Sequence, residues 1–152
     1  MAFINKNITS SSIDKDISYL FELASIFRRA IIECDPVSFD VTLSNFPYGA
    51  CGDASLLLAK YFENNKCGKF DYVLGNRDGW SHAWLQNGSI IIDITADQFD
   101  DQDLPVIVSR DHTWHLSFNG EIEYVADFNI FDCRTSISYK RMYNLITAKI
   151  NT

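Results

Sequence analysis

The first long pattern of apolar positions lies near the amino terminus. Apolar residues recur at alternating steps of four and three between Ile13 and Cys34, which is the period of one helix face. The preceding letters SSSID offer a hydroxyl cap, and Asp35-Pro36 ends the pattern because the residue before a proline is pushed out of the helical region. The sequence therefore predicts an amphipathic helix of about 20 residues, preceded by a loosely ordered segment over residues 1–11.

A second helical pattern begins near Gly49 or Ala50, after a loop predicted over residues 36–50. Its inward positions are Ala54, Leu57, Leu58, Tyr61 and Phe62. It ends in the letters ENNKCG, where asparagine and glycine are typical stop signals. Cys51 is therefore predicted to lie in the first turn of this helix.

The middle of the chain alternates between apolar and polar residues with a period of two. The runs KFDYVLG, SHAWLQ, SIIIDI and LPVIVS each predict a strand. Asn87-Gly88 is a strong signal for a hairpin between the second and third runs. If these two residues form the loop, His82 lies directly opposite Asp93, and the two side chains share one face of the sheet with Cβ atoms about 5 Å apart.

The remaining third of the chain predicts a second hairpin and a terminal helix. The letters TWHLSFNGEIEYV suggest strands around Asn119-Gly120, and the acidic letters DQFDDQD suggest a surface loop without the spacing of a calcium loop. The helical stripe of the tail consists of Tyr139, Tyr143, Ile146 and Ile150. The sequence thus predicts a single α+β domain over residues 1–152, with the Cys51 helix on an antiparallel sheet of about four to six strands and additional helices at both ends.

Composition and charge narrow the function classes. A chain of 152 residues with 47% hydrophobic content can bury the core of one domain. Its net charge of -7 disfavours nucleic acid and membrane surfaces as partners. We find no secretory pattern and no long apolar run, so a cytoplasmic protein is expected, although delivery as an effector stays open. No nucleotide-binding glycine motif is present, and the four cysteines form no C-x-x-C pair. No cofactor or metal is therefore predicted.

Three residues combine into a candidate nucleophilic site. A helix amino terminus and a neighbouring imidazolium both favour the thiolate form of a cysteine such as Cys51, and the amide of Cys51 is a possible oxyanion donor. His82 would take the thiol proton and later deliver a proton to the leaving group, while Asp93 would orient the imidazole. Each residue alone has an ordinary structural interpretation, but their joint occurrence favours the catalytic one.

Other side chains have weaker claims. Trp80 and Trp84 flank His82, and Trp84 is a candidate wall of the substrate cleft, with a place in the core as the alternative. His112 and His115 lie three positions apart. A metal site at this pair is disfavoured because no third ligand lies near them in the sequence.

The segments GACGDASLLLAKYF, VLG and SHAWLQNGSIIIDIT resemble the transglutaminase-like core of the papain-like cysteine enzyme superfamily, over about 50 of the 152 residues. The resemblance implies a papain-like fold in which Cys51 is the nucleophile, His82 the general acid/base and Asp93 the orienting carboxylate. In the papain branch a glutamine six positions before the cysteine completes the oxyanion hole. Asn45 holds that position here, and Gln98 is a second candidate amide.

The expected reaction is attack of Cys51 on an amide or related acyl carbon, which gives a thioester. Water would resolve the thioester in a peptidase or deamidase, and an amine would resolve it in a transglutaminase or acyltransferase. The substrate is expected to be a peptide, a protein or a small amide, and both a bacterial housekeeping hydrolase and a delivered effector remain open. The alternative is an inactive papain-like fold that serves as a protein-binding or immunity-type module, in which Cys51 would be buried and unreactive.

Overall fold

The computed structural model describes residues 10–151. The predicted amino-terminal helix is confirmed: helix α1 spans Ser10–Glu33 and ends just before Asp35-Pro36, where the Asp35 carboxylate accepts a hydrogen bond from the Val37 amide at 3.1 Å. Residues 1–9 of the segment predicted to be loosely ordered lie outside the described residues.

The described residues form five α-helices and five strands. The other helices are α2 (Val41–Ser44), α3 (Cys51–Asn64), α4 (Thr113–Leu116) and α5 (Cys133–Ile150). The strands are β1 (Asp71–Arg77), β2 (Trp80–Asn87), β3 (Ile90–Asp93), β4 (Ile107–Ser109) and β5 (Glu121–Val125). Short 3₁₀ helices cover Pro36–Ser38, Ala96–Gln98 and Phe128–Ile130. The α+β class is therefore confirmed, as are Cys51 in the first turn of α3 and a terminal helix in the tail.

The five strands form one antiparallel sheet in the order β4-β3-β2-β1-β5. Because side chains alternate along a strand, the sheet buries a different cluster on each face. Leu85 of β2 packs with apolar residues of α1, α3 and α5 on one face. The other face holds a smaller cluster of Val73, Trp84, Ile91 and Phe118, with Phe99 and Trp114 packed against it.

The β2–β3 hairpin has a different register from the predicted one. Asn87 pairs with Ile90, so the loop residues are Gly88 and Ser89, and the expected direct opposition of His82 and Asp93 is wrong by two positions. Gly88 has φ +55°, which suits the glycine-first hairpin loops and competes with the Asn-Gly signal. A shift of two positions preserves side-chain parity, so His82 and Asp93 still belong to the same face.

The second predicted hairpin is wrong. Thr113–Leu116 forms a helical turn, α4, and β5 pairs with β1 instead of with a preceding neighbour. The turn starts because the Asp111 carboxylate accepts a hydrogen bond from the Thr113 amide at 3.0 Å. Gly120 serves close packing rather than a tight turn, since a Cβ added there would lie 2.7 Å from the ring of Trp84.

The predicted loop over residues 36–50 contains the first 3₁₀ helix and α2, which is anchored by the buried Leu43. At the other end of the described chain, α5 packs against α1 and buries Tyr143 and Ile146. Within residues 10–151 no helix combines the length and the apolar character that a membrane crossing requires.

Candidate active site

Cys51 is the first residue of α3, and this helix start is uncapped. Ala50 occupies the cap position without a side-chain hydrogen bond, and the first helical bond runs from the Ala54 amide to the Ala50 carbonyl at 2.8 Å. Within the described residues, the amides of Cys51, Gly52 and Asp53 therefore have no acceptor. Cys51, Gly52 and Asp53 are each partly exposed, so this helix start is accessible from solvent.

Side chains from three other segments hold the start of α3 in place. The Asp53 carboxylate accepts hydrogen bonds from the Tyr139 hydroxyl at 2.7 Å and from the Thr42 hydroxyl. Gln98 accepts a hydrogen bond from the Gly49 amide at 3.3 Å and donates one to the Thr95 carbonyl at 3.1 Å. The position of Cys51 is thus fixed relative to α2, α5 and the segment that follows β3.

His82 and Asp93 form a buried hydrogen-bonded pair. The regular pairing of β2 with β3 covers only Leu85–Asn87, so His82 lies beyond it and the carboxylate at the end of β3 reaches it diagonally. The His82 Nε2 to Asp93 Oδ2 distance is 2.7 Å, and both side chains are fully buried. The second carboxylate oxygen accepts a hydrogen bond from the Thr95 amide at 3.0 Å. Asp93 is therefore held rigidly against the ring.

A second imidazole binds the same carboxylate oxygen. Nε2 of His115, which is buried in α4, lies 2.7 Å from Asp93 Oδ2. His115 is not among the predicted site residues, because its segment predicts a strand and no third ligand lies near it in the sequence. The available signal was the spacing of four between Trp114 and Phe118, which favours a helical turn with His115 on the same inward side.

His82 and Asp93 each shift the pKa of the other. Burial opposes a charge on His82, but Coulombic attraction and the hydrogen bond to Asp93, with a further contribution from Cys51, outweigh it and raise the pKa of His82 to about 9. Burial likewise opposes the Asp93 carboxylate, yet the two imidazoles hold the pKa of Asp93 well below its usual range. At neutral pH the pair is therefore a carboxylate beside an imidazolium.

The Cys51 thiol lies beside the His82 ring. Interaction with Cys51 adds to the raised pKa of His82, and Nε2 of the ring is already engaged with Asp93. The remaining nitrogen, Nδ1, is buried and makes no hydrogen bond of ordinary geometry to any residue between 10 and 151. Nδ1 is thus the ring atom available to the thiol.

Aromatic rings enclose the imidazole of His82. The ring centroids of Phe99, Phe118 and Trp84 lie 5.1, 5.3 and 5.6 Å from it. Trp84 is only 3% exposed and belongs to the smaller cluster, so its predicted role as a cleft wall is wrong. Strand alternation turns Trp84 toward the face that α4 and Phe118 cover, and its side chain is therefore core.

The two predicted oxyanion amides are differently placed. Asn45 lies exposed at the end of α2, and among the hydrogen bonds of the described residues none fixes its side chain toward Cys51. Both amide atoms of Gln98 are engaged, by Gly49 and Thr95. Gln98 acts as a link between the segment before α3 and the segment after β3.

The two imidazoles and the carboxylate could also hold a metal ion. One ligand atom from each of His82, Asp93 and His115 lies within 4.8 Å of the others. Bonds to zinc of roughly 2.0–2.2 Å would spread such atoms to about 3 Å or more, whereas both nitrogen–oxygen distances are 2.7 Å. Both imidazoles would have to move away from the Asp93 carboxylate before an ion could bind between them. His112 is outside this group and lies 2.7 Å from the Ser89 carbonyl.

Comparison of the chain with protein family models, with curated proteins and with solved structures finds no match. The family resemblance of the Cys51 and His82 segments therefore stays a prediction, and inference about the site depends on its geometry.

Proposed function

We propose that this protein is a thiol-dependent enzyme with a transglutaminase-like core, which acts on an amide or acyl bond through Cys51, His82 and Asp93. One observation carries the proposal. A fully buried hydrogen bond of 2.7 Å orients the His82 ring and leaves the ring's other nitrogen for the thiol at an uncapped helix start. This is the arrangement that nucleophilic catalysis by a thiol requires.

The chemistry follows from the raised pKa of His82. With a pKa of about 9, the ring is an imidazolium at neutral pH and stabilises a neighbouring thiolate. The Cys51 sulfur adds to the substrate carbonyl carbon, and the electron pair of the C=O π bond moves onto oxygen. When the C=O bond re-forms, the leaving group departs with its bonding electrons and takes the proton from His82. A thioester on Cys51 and a neutral imidazole remain.

The neutral imidazole then serves as the base in the second half of the reaction. It accepts a proton from water or from an amine as that nucleophile attacks the thioester, and the thiolate of Cys51 is expelled. Water gives peptidase or deamidase activity, and an amine gives acyl transfer. Asp93 stays ionised throughout and keeps the ring in the productive tautomer.

The partial exposure of Cys51 favours this proposal over an inactive binding or immunity-type module, for which a buried cysteine is expected. Selective alkylation tests the difference. We expect iodoacetamide at pH 6.5 to label Cys51 at least about ten times faster than Cys133, because the neighbouring His82 imidazolium stabilises the attacking thiolate. Labelling at each site is measured by peptide mass spectrometry over time.

The His82→Gln variant is the matched control, with its fold checked by circular dichroism. It should remove the advantage of Cys51 and leave labelling of Cys133 unchanged. Equal, slow labelling of the two cysteines in the native protein would overturn the proposal even if the variant failed to fold. Assays of ammonia release, peptide cleavage and amine incorporation with the active protein then separate the three reaction types.

A further inference from the structure

Tyr72 of β1 contacts the start of the nucleophile helix. It pairs with Leu85 across β1 and β2 and thus faces the helices. A Cβ added to Gly52 would lie 2.9 Å from the Tyr72 hydroxyl oxygen, which is closer than a side chain at position 52 could tolerate without displacing the hydroxyl. Gly52 is therefore the residue that lets this hydroxyl reach the backbone immediately after Cys51.

The hydroxyl of Tyr72 has no hydrogen-bond partner among the described residues. It makes no hydrogen bond to any residue of the described range 10–151, although it is close enough to Cys51 and Asp53 to feel their charges. Its ring is fixed by stacking on Tyr124, with centroids 4.9 Å apart and an interplanar angle of 8°. A fixed hydroxyl next to Gly52, with no hydrogen-bond acceptor among the described residues, is available to donate to a ligand.

The ionisation of Tyr72 suits a donor. Burial is the main cause that raises its pKa far above the usual range, and the neighbouring Tyr124, Cys51 and Asp53 add to the rise. The phenol therefore keeps its proton at every pH at which the enzyme would work. A neutral phenol at this place can donate a hydrogen bond to a substrate oxygen. It does not compete for the proton that His82 carries.

We propose that the Tyr72 hydroxyl, together with the free amide of Cys51, forms the oxyanion site of the reaction; this rests on the proposed function. When the thiolate adds to the carbonyl carbon, a C–S bond forms and negative charge develops on the carbonyl oxygen. The two donors stabilise that charge, and they release the oxygen when the C=O bond re-forms and the leaving group departs. Tyr72 thereby takes the role that the family resemblance implied for Asn45 or Gln98.

Comparison of acylation with alkylation tests this role. We expect Tyr72→Phe to lower the rate constant for acylation of Cys51 by p-nitrophenyl acetate about 10²-fold, the usual effect of losing one oxyanion donor. Alkylation by iodoacetamide should change less than about twofold, because displacement of iodide places no charge on a carbonyl oxygen. Release of p-nitrophenolate in a stopped-flow burst and mass spectrometry of Cys51 measure the two rates.

Two further variants keep the test decisive. Tyr124→Phe removes the hydroxyl of the stacking partner and should leave both rates unchanged. Gly52→Ala should lower acylation selectively, because the added methyl group displaces the Tyr72 hydroxyl while the helix backbone tolerates alanine. Circular dichroism confirms that each variant is folded.

The possible outcomes separate failure of the oxyanion role of Tyr72 from failure of the proposed function. If the native protein acylates Cys51 and Tyr72→Phe acylates it equally fast, the oxyanion role is wrong while the proposed function stands. If Tyr72→Phe slows acylation and alkylation equally, Tyr72 acts on the thiol and the oxyanion role is again wrong. If the native protein shows no selective acylation or alkylation of Cys51, the proposed function fails and the role of Tyr72 fails with it.

Discussion

Two cysteines, Cys51 and Cys133, each occupy the first residue of a long helix, yet their surroundings differ. At the start of α5 the Asp132 carboxylate accepts a hydrogen bond from the Thr135 amide at 3.0 Å. At the start of α3 no side chain among residues 10–151 caps the free amides. Both thiols experience the positive end of a helix dipole, so the dipole alone does not distinguish a reactive cysteine from a surface one.

The two helix starts differ in whether their backbone amides are free to bind a ligand. The cap that α3 lacks is worth about 1 kcal/mol of stability, and its absence leaves amides open beside a partly exposed thiol. Cys51 also has the ring of His82 next to it, whereas Cys133 is exposed and its helix start is closed by Asp132. Under the proposed function, local stability is given up at α3 at the place where a substrate oxygen would bind.

Replacing each cysteine by alanine is the strongest test of this contrast. Cys51→Ala should lower acylation by p-nitrophenyl acetate at least about 10³-fold, because no other group would supply the attacking sulfur. Cys133→Ala should retain acylation within about twofold of the native rate. The burst of p-nitrophenolate and the mass of the acylated peptide give both results. Comparable losses in the two variants would remove the distinction between the helix starts.

The pH dependence of stability tests the His82–Asp93 pair, which lies beside Cys51. The folded-state pKa of His82 is raised to about 9, above about 6.5 in an unfolded chain. The stabilisation by His82 is therefore fully present below about pH 6.5 and is lost as the pH rises through about 9. We expect the free energy of unfolding to fall over this window by at most about 3 kcal/mol, as measured by urea denaturation.

His82→Gln is the control for this window. Burial raises the pKa of the Cys34 and Cys67 thiols, which also destabilises the folded state at alkaline pH. The difference between the native protein and His82→Gln isolates the imidazole from these thiols. Parallel stability curves from pH 6 to 9.5 would show that His82 is not held as an imidazolium.

Local signals explain why much of the fold could be predicted. Helix α1 follows from an apolar stripe and a proline stop, and the place of Cys51 follows from the stop and start signals around α3. The hairpin register could not be fixed in the same way, because Asn87-Gly88 and Gly88-Ser89 are both acceptable loops and only packing of the finished sheet selects between them. The register differs from the prediction by two positions, and an even shift keeps each side chain on the same face of the sheet. The prediction that His82 and Asp93 share a face is therefore correct.

The parts of the site that depend on tertiary contacts could not be predicted. His115 reaches Asp93 from 22 positions away in the chain, and its segment alternates in a way that resembles a strand. Tyr72 approaches Gly52 only because α3 docks on the sheet. The spacing of Trp114 and Phe118 can indicate a helical turn around His115, but nothing in the sequence pattern identifies Asp93 or Gly52 as the partner in these contacts, since each contact is created by the meeting of distant elements.

The second imidazole on Asp93 offers a smaller test. His115→Phe should lower the free energy of unfolding by about 2 kcal/mol, because the carboxylate loses one of its two charge-assisted hydrogen bonds to imidazole. His112→Phe is the matched control on the same segment. Within the described part of the chain, the His112 ring hydrogen-bonds to a backbone carbonyl near the surface, and its replacement should change stability by less than about 0.5 kcal/mol. Equal effects of the two variants in urea denaturation would show that His115 is ordinary packing.

Removing the cap of α5 asks whether an open helix start is enough for reactivity. Asp132→Ala makes the start of α5 resemble that of α3 and should cost about 1 kcal/mol of stability in urea denaturation. Cys133 should nevertheless remain slow toward iodoacetamide at pH 6.5 and inert toward p-nitrophenyl acetate, because no imidazolium stabilises its thiolate. Acylation of Cys133 in this variant would mean that free amides alone activate the sulfur. The imidazole of His82 would then be secondary to the uncapped backbone at Cys51.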